Sequence, residues 1–454
     1  MTKVMSYPAH LRAVAALGLP LVGGHLAQFA IGLTDTVMLG WYGVEELAAV
    51  TLASSYFFVL FLMGSGFGWA VMPMVAAAQA EDDQTQIRRV TRMGLWWSLI
   101  FATLCMPLFW YAHPILLALG QEPDISAIAA QYLRLAGWGI YPALLVVVMK
   151  SYLAALERTQ IVLWITIAAA VANGLANYAL IFGHWGAPEL GVTGAAVASL
   201  TSHAVALVAI CAYGIKVLPE HSLFQRFWRP DPEAFVQVVR LGVPIGLTSL
   251  SEVVMFSASA VMIGWLGAVP LAAHGIALQL SAATFMVHVG LSNAATVRAG
   301  NAWGRRDLAH LRRGAIVVTA MSLVVAALGS ALFLLAPEFL VGAFMDHANP
   351  ARAQILQAGV ALLAVAALFQ TMDGMQVIAL GLLRGQQDTG VPMVMAAVSY
   401  IGVGLPGSYV LGFVLGWGAV GVWSGLVLGL ACAALLLMTR FWQRLRRQLL
   451  QAAG

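Results

Sequence analysis

Twelve apolar runs, each about as long as the roughly 20-residue helix that crosses a bilayer, follow one another along this chain. They lie at roughly 13–39, 47–76, 93–118, 127–154, 160–183, 192–217, 238–264, 272–297, 314–336, 354–381, 391–415 and 418–440. The runs do not alternate apolar with polar, as strands of a membrane barrel would. Only 9% of the 454 residues are charged and 61% are apolar, so too few polar groups exist to cover a water-facing surface. Lipid must be the solvent for most of the molecule, and the fold class is all-α integral membrane.

The basic residues set an orientation. With the N-terminus placed inside, 20 of the 23 Lys and Arg fall on inside segments, from Lys3 and Arg12 to Arg446 and Arg447. One, Arg352, falls outside; Arg134 and Lys150 lie in the fourth run, where snorkelling to headgroups accounts for them. A bias this strong predicts cytoplasmic termini and supports the helix count. It also explains the net charge of +4 without nucleic acid. The basic stretch from Arg440 to Arg447 is expected to lie against anionic headgroups or to act as a plain anchor. No cleavable signal is evident, because the first run is too long for a signal core. Cys105, Cys211 and Cys432 fall inside apolar runs without metal-type spacing and read as small core residues.

A shift of 224 residues lays the chain on itself. Leu17-Gly18-Leu19-Pro20 meets Leu241-Gly242-Val243-Pro244, and Val37-Met38-Leu39-Gly40-Trp41 meets Val261-Met262-Ile263-Gly264-Trp265. Residues 17–50 give 12 identities in 34 ungapped positions, Arg88-Arg89 falls on Arg312-Arg313, and Gly191-Val192-Thr193-Gly194 meets Gly418-Ala419-Val420-Gly421 with small gaps. Six helices per half make the repeat parallel, with its pseudo-twofold along the membrane normal. The expected organisation is an N-lobe over 1–217, a cytoplasmic linker over 218–237 with Pro219, Pro230 and Pro232, and a C-lobe over 238–454 ending in the basic tail. Two such bundles facing one another would enclose a cleft that opens to alternate sides as they rock.

Of 19 acidic residues, three lie inside runs: Asp35 in the first, Glu252 in the seventh and Asp373 in the tenth. An acid at the centre of a membrane helix costs about 2.5–3.5 kcal/mol on insertion scales, so each should face the bundle interior or water and is a candidate cation or proton site. The repeat puts Glu252 opposite Gln28 and Asp35 opposite Ser259, so the two halves hold unlike sites. Gln28 is two turns before Asp35; Asn173 and Asn177 share a face of the fifth run, and Thr201 lies in the sixth. Gln279, Asn293, Gln370 and Gln376 lie in the eighth and tenth; for each, helix–helix hydrogen bonding competes with a site role. His274 and His288 read as core histidines. Some Met and aromatic residues suit an adaptable drug cavity, for which Phe256, Phe369, Gln279 and Gln376 are the candidates.

Several stretches carry a resemblance: Thr34-Asp35-Thr36-Val37-Met38-Leu39-Gly40, Ser251-Glu252-Val253, Arg298-Ala299-Gly300-Asn301-Ala302-Trp303-Gly304, and Asp373-Gly374-Met375-Gln376 followed by Gly381-Leu382-Leu383-Arg384-Gly385. With them the chain resembles, over essentially its whole length, the multidrug and toxic compound extrusion (MATE) family, nearest its NorM branch. The resemblance implies an exporter of cationic and amphipathic drugs driven by inward Na⁺ or H⁺, with no other cofactor and no enzyme activity. It implies that Glu252 and Asp373 form a C-lobe cation site, a candidate Na⁺ site, and that Asp35, Asn173, Asn177 and Thr201 form a polar N-lobe cluster. The expected partners are small cationic molecules and the bilayer, with a monomer as the working form. One departure stands out. The NorM pattern has a tyrosine four residues before the tenth-helix acid, and here that residue is Phe369, which lacks the hydroxyl and tilts the expectation toward H⁺.

The expected mechanism is antiport by competition, in which ion capture at Glu252 and Asp373, or protonation of Asp35, displaces substrate and favours return. A lipid-linked oligosaccharide flippase of the same superfamily is the alternative, but it would need basic residues in the helix interiors to meet pyrophosphate, and these are almost absent. A membrane enzyme would need a catalytic constellation such as His-x-x-x-His, which the sequence lacks. A channel would have no need of duplicated rocking halves.

Overall fold

The structure, a computed structural model, describes residues 5–345 and 350–453, and Lys3 of the basic inventory lies outside them. The twelve runs become twelve helices long and apolar enough to span a membrane: α1 (Tyr7–Tyr42), α2 (Glu45–Ala80), α3 (Gln84–Trp110), α4 (Pro123–Ala155), α5 (Thr159–Phe182), α6 (Val192–Val217), α7 (Pro232–Trp265), α8 (Ala268–Gly304), α9 (Leu308–Leu335), α10 (Arg352–Gly385), α11 (Gly390–Val414) and α12 (Gly418–Ala452). No strand occurs among the described residues. A multi-pass membrane protein is the outcome, since helices satisfy their own backbone groups in lipid. Most helices outrun their apolar runs by a turn or more, because hydropathy marks only the stretch that must be dehydrated.

Two helices are interrupted, each for a local reason. In α4 a 3-10 turn at Gly137–Gly139 breaks the α pattern, and a Cβ on Gly137 would come within 2.7 Å of the Phe109 ring. In α11 two π-helical stretches, Val398–Gly404 and Val410–Val414, widen the turn. Here α11 runs against α12 at backbone distance. A Cβ on Gly425 would sit 2.0 Å from the Ser408 nitrogen, and one on Gly429 would sit 2.8 Å from the Gly404 Cα. Small residues are what allow membrane helices to approach so closely.

The chain resolves into two compact units, residues 23–246 and residues 1–22 with 247–454. The breaks at 22/23 and 246/247 are 224 residues apart, the offset of the sequence repeat. Each falls inside a helix, just after Pro20 of α1 and Pro244 of α7. The units thus differ from the linear halves: residues 1–22 belong with the later half, and 238–246 with the earlier one. The reason is packing. In the earlier unit a Cβ on Gly66 would lie 2.3 Å from the Gly242 carbonyl; in the later unit a Cβ on Gly290, the equivalent of Gly66, would lie 2.5 Å from Val22. Each duplicated close crossing ties one helix start to the other half's second helix.

The repeat persists in fine detail. Asp83 caps α3 by accepting from the Gln86 N–H at 2.9 Å, and its equivalent Asp307 caps α9 from the His310 N–H at 2.9 Å. Asp82 and Arg306, again 224 apart, both take positive φ, 61° and 54°.

The linker is docked. Arg89 of α3 pairs with Asp231 and, at 2.7 Å, with Glu233; Arg92 donates to the Arg226 carbonyl at 2.8 Å. Trp96 donates to the Phe227 carbonyl at 2.9 Å and Trp97 to the Phe235 carbonyl at 3.0 Å. The basic tail departs from expectation at two residues. Arg440 and Arg444 reach the buried Asp388, each at 2.8 Å, instead of facing headgroups. The buried carboxylate needs cationic donors more than the two guanidinium groups need lipid.

Gly425→Ala should yield protein with a markedly lower thermal midpoint in detergent, and an unchanged melt would show that α11 and α12 can part without cost. The Arg89 guanidinium beside Asp231 holds that carboxyl below the usual carboxylate range. Its folded pKa is thus below the unfolded value of about 3.9, so the pair's stabilisation is complete above that value and is lost as pH falls through the folded pKa. Wild type should therefore outlast Asp231→Asn at pH 6, and the gap should close at pH values under about 4; a gap independent of pH would refute the pairing.

Candidate functional site

In the unit 23–246, Asp35 lies on α1 and accepts a hydrogen bond from Asn177 Nδ2 of α5. The same nitrogen donates to Asn173 Oδ1 at 3.1 Å, one turn away on α5. Both asparagines are fully buried while Asp35 is half-buried, so a carboxylate at the edge of the unit is anchored by neutral amides within it. The Asn173 side chain also turns toward Asp35, and Asn177 Oδ1 has no hydrogen-bond partner among the described residues, which leaves one acceptor for water or a ligand. Gln28 and Thr201, expected in this cluster, are not brought into it. Gln28 is exposed, and Thr201 returns its hydroxyl to the Val197 carbonyl of its own helix at 2.7 Å.

In the other unit, Glu252 of α7 and Asp373 of α10 come together on one side chain. Gln376 Nε2 lies 3.2 Å from Glu252 Oε1 and 3.1 Å from Asp373 Oδ1. Asp373 and Gln376 are one turn apart on α10 and buried, and Glu252 is half-buried. The amide oxygen of Gln376 accepts from the Tyr400 hydroxyl of α11 at 2.6 Å. Neither carboxylate forms an ion pair among the described residues, although Arg384, in the last turn of α10, is close enough to feel Glu252. Two acids on different helices thus share one neutral donor.

The α10 backbone is fixed by close packing on α8. Ser292 donates to the Val377 carbonyl at 2.6 Å and Thr296 to the Gly381 carbonyl at 3.0 Å. Cβ atoms on Gly381 and Gly385 would fall within 2.4 Å of Ser292 Oγ and Ala299 Cβ. One turn before Asp373, Phe369 is 2% exposed, its ring 5.9 Å from Phe256 and 5.3 Å from Trp423. It serves as a packing residue, and the cavity role expected for it finds no open face. Phe256 and Gln279 are half-buried, and among the described residues no hydrogen bond joins Gln279 to either acid. Gln376, also expected at a cavity wall, is instead the fully buried bridge. Tyr400 escaped the sequence reading altogether: one tyrosine in an apolar run carries no periodic signal.

The histidines are core residues, as expected. His288 meets Ser322 at 2.9 Å, and His274 accepts from the Trp423 indole N–H at 3.0 Å. His274→Leu would strand a buried indole N–H, a loss of about 1–3 kcal/mol. It should lower the melting midpoint by several degrees, whereas an unchanged midpoint would deny that the bond bears on stability.

A family model described as MatE matches residues 20–179 and 244–410. A protein of Rhizobium meliloti (strain 1021) named "Probable multidrug resistance protein NorM" is 46% identical, the match covering 97% of this chain and 95% of that protein. One of the same name from Agrobacterium fabrum (strain C58 / ATCC 33970) is 44% identical over 98% and 96%. Among solved structures, a crystal structure of MATE in complex with MaL6 superposes with a TM-score of 0.88 at 20% identity, covering 97% of each chain, and shares the fold.

Proposed function

We propose that this chain, which belongs to the MatE family, is a secondary active multidrug efflux transporter that antiports cationic or amphipathic small molecules against H⁺ or Na⁺ by alternating access. The observation that carries the reading is the pair Glu252 and Asp373, bridged by Gln376 and free of ion pairing among the described residues. A structural acid in a membrane interior is normally locked by a cation of the protein's own. These two are held by an amide, which leaves their charge to be answered by a cation from outside the protein. The names of the full-length relatives, multidrug resistance proteins, support the cargo class.

The coupling works through competition. A cation or proton taken up by Glu252 and Asp373 removes the negative charge that favours a cationic substrate, and differential affinity for the two access states converts that exchange into net movement. Asp35, anchored by Asn177, is a second carboxylate of the same kind in the other unit. The distribution of Lys and Arg supports cytoplasmic termini, and the bacterial source of the named relatives supports a bacterial inner membrane.

Asp373→Asn is the direct test, since it removes the charge with little change of shape. In proteoliposomes it should abolish efflux of a cationic dye driven by either a Na⁺ or a pH gradient, while the purified protein stays monodisperse with an unaltered helical signal. Efflux at the wild-type rate would remove Asp373 from the mechanism.

A further inference from the structure

The two N–H groups of Gln376 point at the two carboxylates, and its carbonyl points away from them to Tyr400. That orientation suits a pair with no cation between the acids, because the amide supplies the positive dipole they lack. It does not suit a pair holding a metal cation, since the same N–H dipoles would then face like charge. A half-turn about the last side-chain bond exchanges the amide's ends. Oε1 would then point at the cation, and Nε2 would donate to the Tyr400 oxygen. A phenol hydroxyl can serve both arrangements, because it carries one donor and acceptor lone pairs.

The surroundings favour this use of the amide. Among the described residues no group of three or more His, Cys, Asp or Glu assembles that could hold a metal ion. A cation at Glu252 and Asp373 would therefore draw its further oxygens from neutral groups, as half-unwound helices do for Na⁺ in other transporters. Phe369 has no oxygen to give. Tyr400 is fully buried and sits in the π-helical stretch Val398–Gly404, held by the close approach of Gly404 and Gly429. Wide turns of this kind recur at functional sites. The charged groups within electrostatic reach of its hydroxyl are Glu252, Asp373 and Arg384.

We propose that Gln376 is a switching ligand for a monovalent metal cation, tethering Glu252 and Asp373 through its nitrogen when the pair is empty and coordinating through its oxygen when it is filled. Tyr400 is the positioning residue that holds the amide in either orientation. The inference rests on the reading of Glu252 and Asp373 as the coupling pair.

The test uses the full chain in proteoliposomes, with efflux of a monovalent cationic dye driven by a Na⁺ gradient at equal pH or by a pH gradient without Na⁺. Tyr400→Phe should raise the half-saturating Na⁺ concentration by roughly threefold or more, because it strands an N–H of the turned amide in the filled arrangement but only a carbonyl in the empty one, and a buried N–H is the costlier group to leave unpaired. The maximal rate should stay within about twofold of wild type, a KM-type effect that a merely structural role would not produce. Gln376→Met keeps the length and should raise the half-saturating Na⁺ at least as far. In the infrared, Na⁺ should shift a glutamine side-chain carbonyl band in wild type, and that change should vanish in Gln376→Met. If wild type depends on Na⁺ and both variants match it, the switching role is overturned and the exporter reading stands. A wild type driven by pH and indifferent to Na⁺ overturns the role as well, because a proton needs no coordinating oxygen. A wild type that moves the dye under neither gradient overturns the exporter reading itself.

Discussion

A carboxylate taken out of water must be answered by something, and the choice of what answers it governs this molecule. Cationic side chains neutralise an acid and close the account; neutral amides satisfy its lone pairs while leaving its charge. The chain uses both solutions and separates them. Asp231 and Asp388 are paired with arginines and hold segments in place. Asp35, Glu252 and Asp373 are met by asparagine or glutamine. The distinction is made by the donor, since the acids themselves are chemically alike.

Holding three under-neutralised acids demands a stiff frame, because a loose helix would turn such an acid toward water or toward an arginine. The frame here is built from backbone proximity. On α10, Gly381 and Gly385 face Ser292 and Ala299, and hydroxyls of α8 reach carbonyls of α10 directly. Along α11 and α12, Gly404 with Gly429 and Ser408 with Gly425 leave no room for a side chain. Glycine is entropically costly in a helix, yet in lipid the gain from close packing and interhelical hydrogen bonds offsets that cost. The frame is also what the duplication preserved: the crossings at Gly66 and Gly290 and the caps at Asp83 and Asp307 sit at equivalent places. The acids were free to diverge on it.

The frame was therefore the legible part. Twelve spans, the 224-residue offset and the three intramembrane acids all follow from hydropathy and self-comparison, because each repeats or stands out against an apolar background. The helix faces were less legible. Asn173 and Asn177 meet Asp35 as their spacing suggests, but Thr201 and Gln28, just as plausible by composition, do not. Periodicity says which residues share a face of one helix and is silent on which neighbour that face meets. Tyr400 and the Asp388–Arg440–Arg444 cluster depend on such neighbours, and the π-helical stretches near Tyr400 shift the register on which any periodic argument relies.

The arginines show that one charge can answer two demands. Counted by side, they carry the bias that predicts cytoplasmic termini. Placed in the structure, several of the same residues fasten the segments that enter and leave the bundles. Arg89 and Arg92 grip the segment leading into α7, and Arg313, the repeat equivalent of Arg89, donates to the Met5 carbonyl at 2.8 Å ahead of α1. Arg298 donates to His10 at 3.0 Å and to His310 at 2.9 Å, so both imidazole nitrogens facing it must be acceptors. The starts of α1 and α7 each belong to the compact unit built mainly from the other half, so they are the places where a helix start most needs an anchor. Keeping basic residues at the ends thus fixes those anchors and also keeps guanidinium groups out of hydrogen-bond reach of Glu252 and Asp373, whose charge depends on their distance.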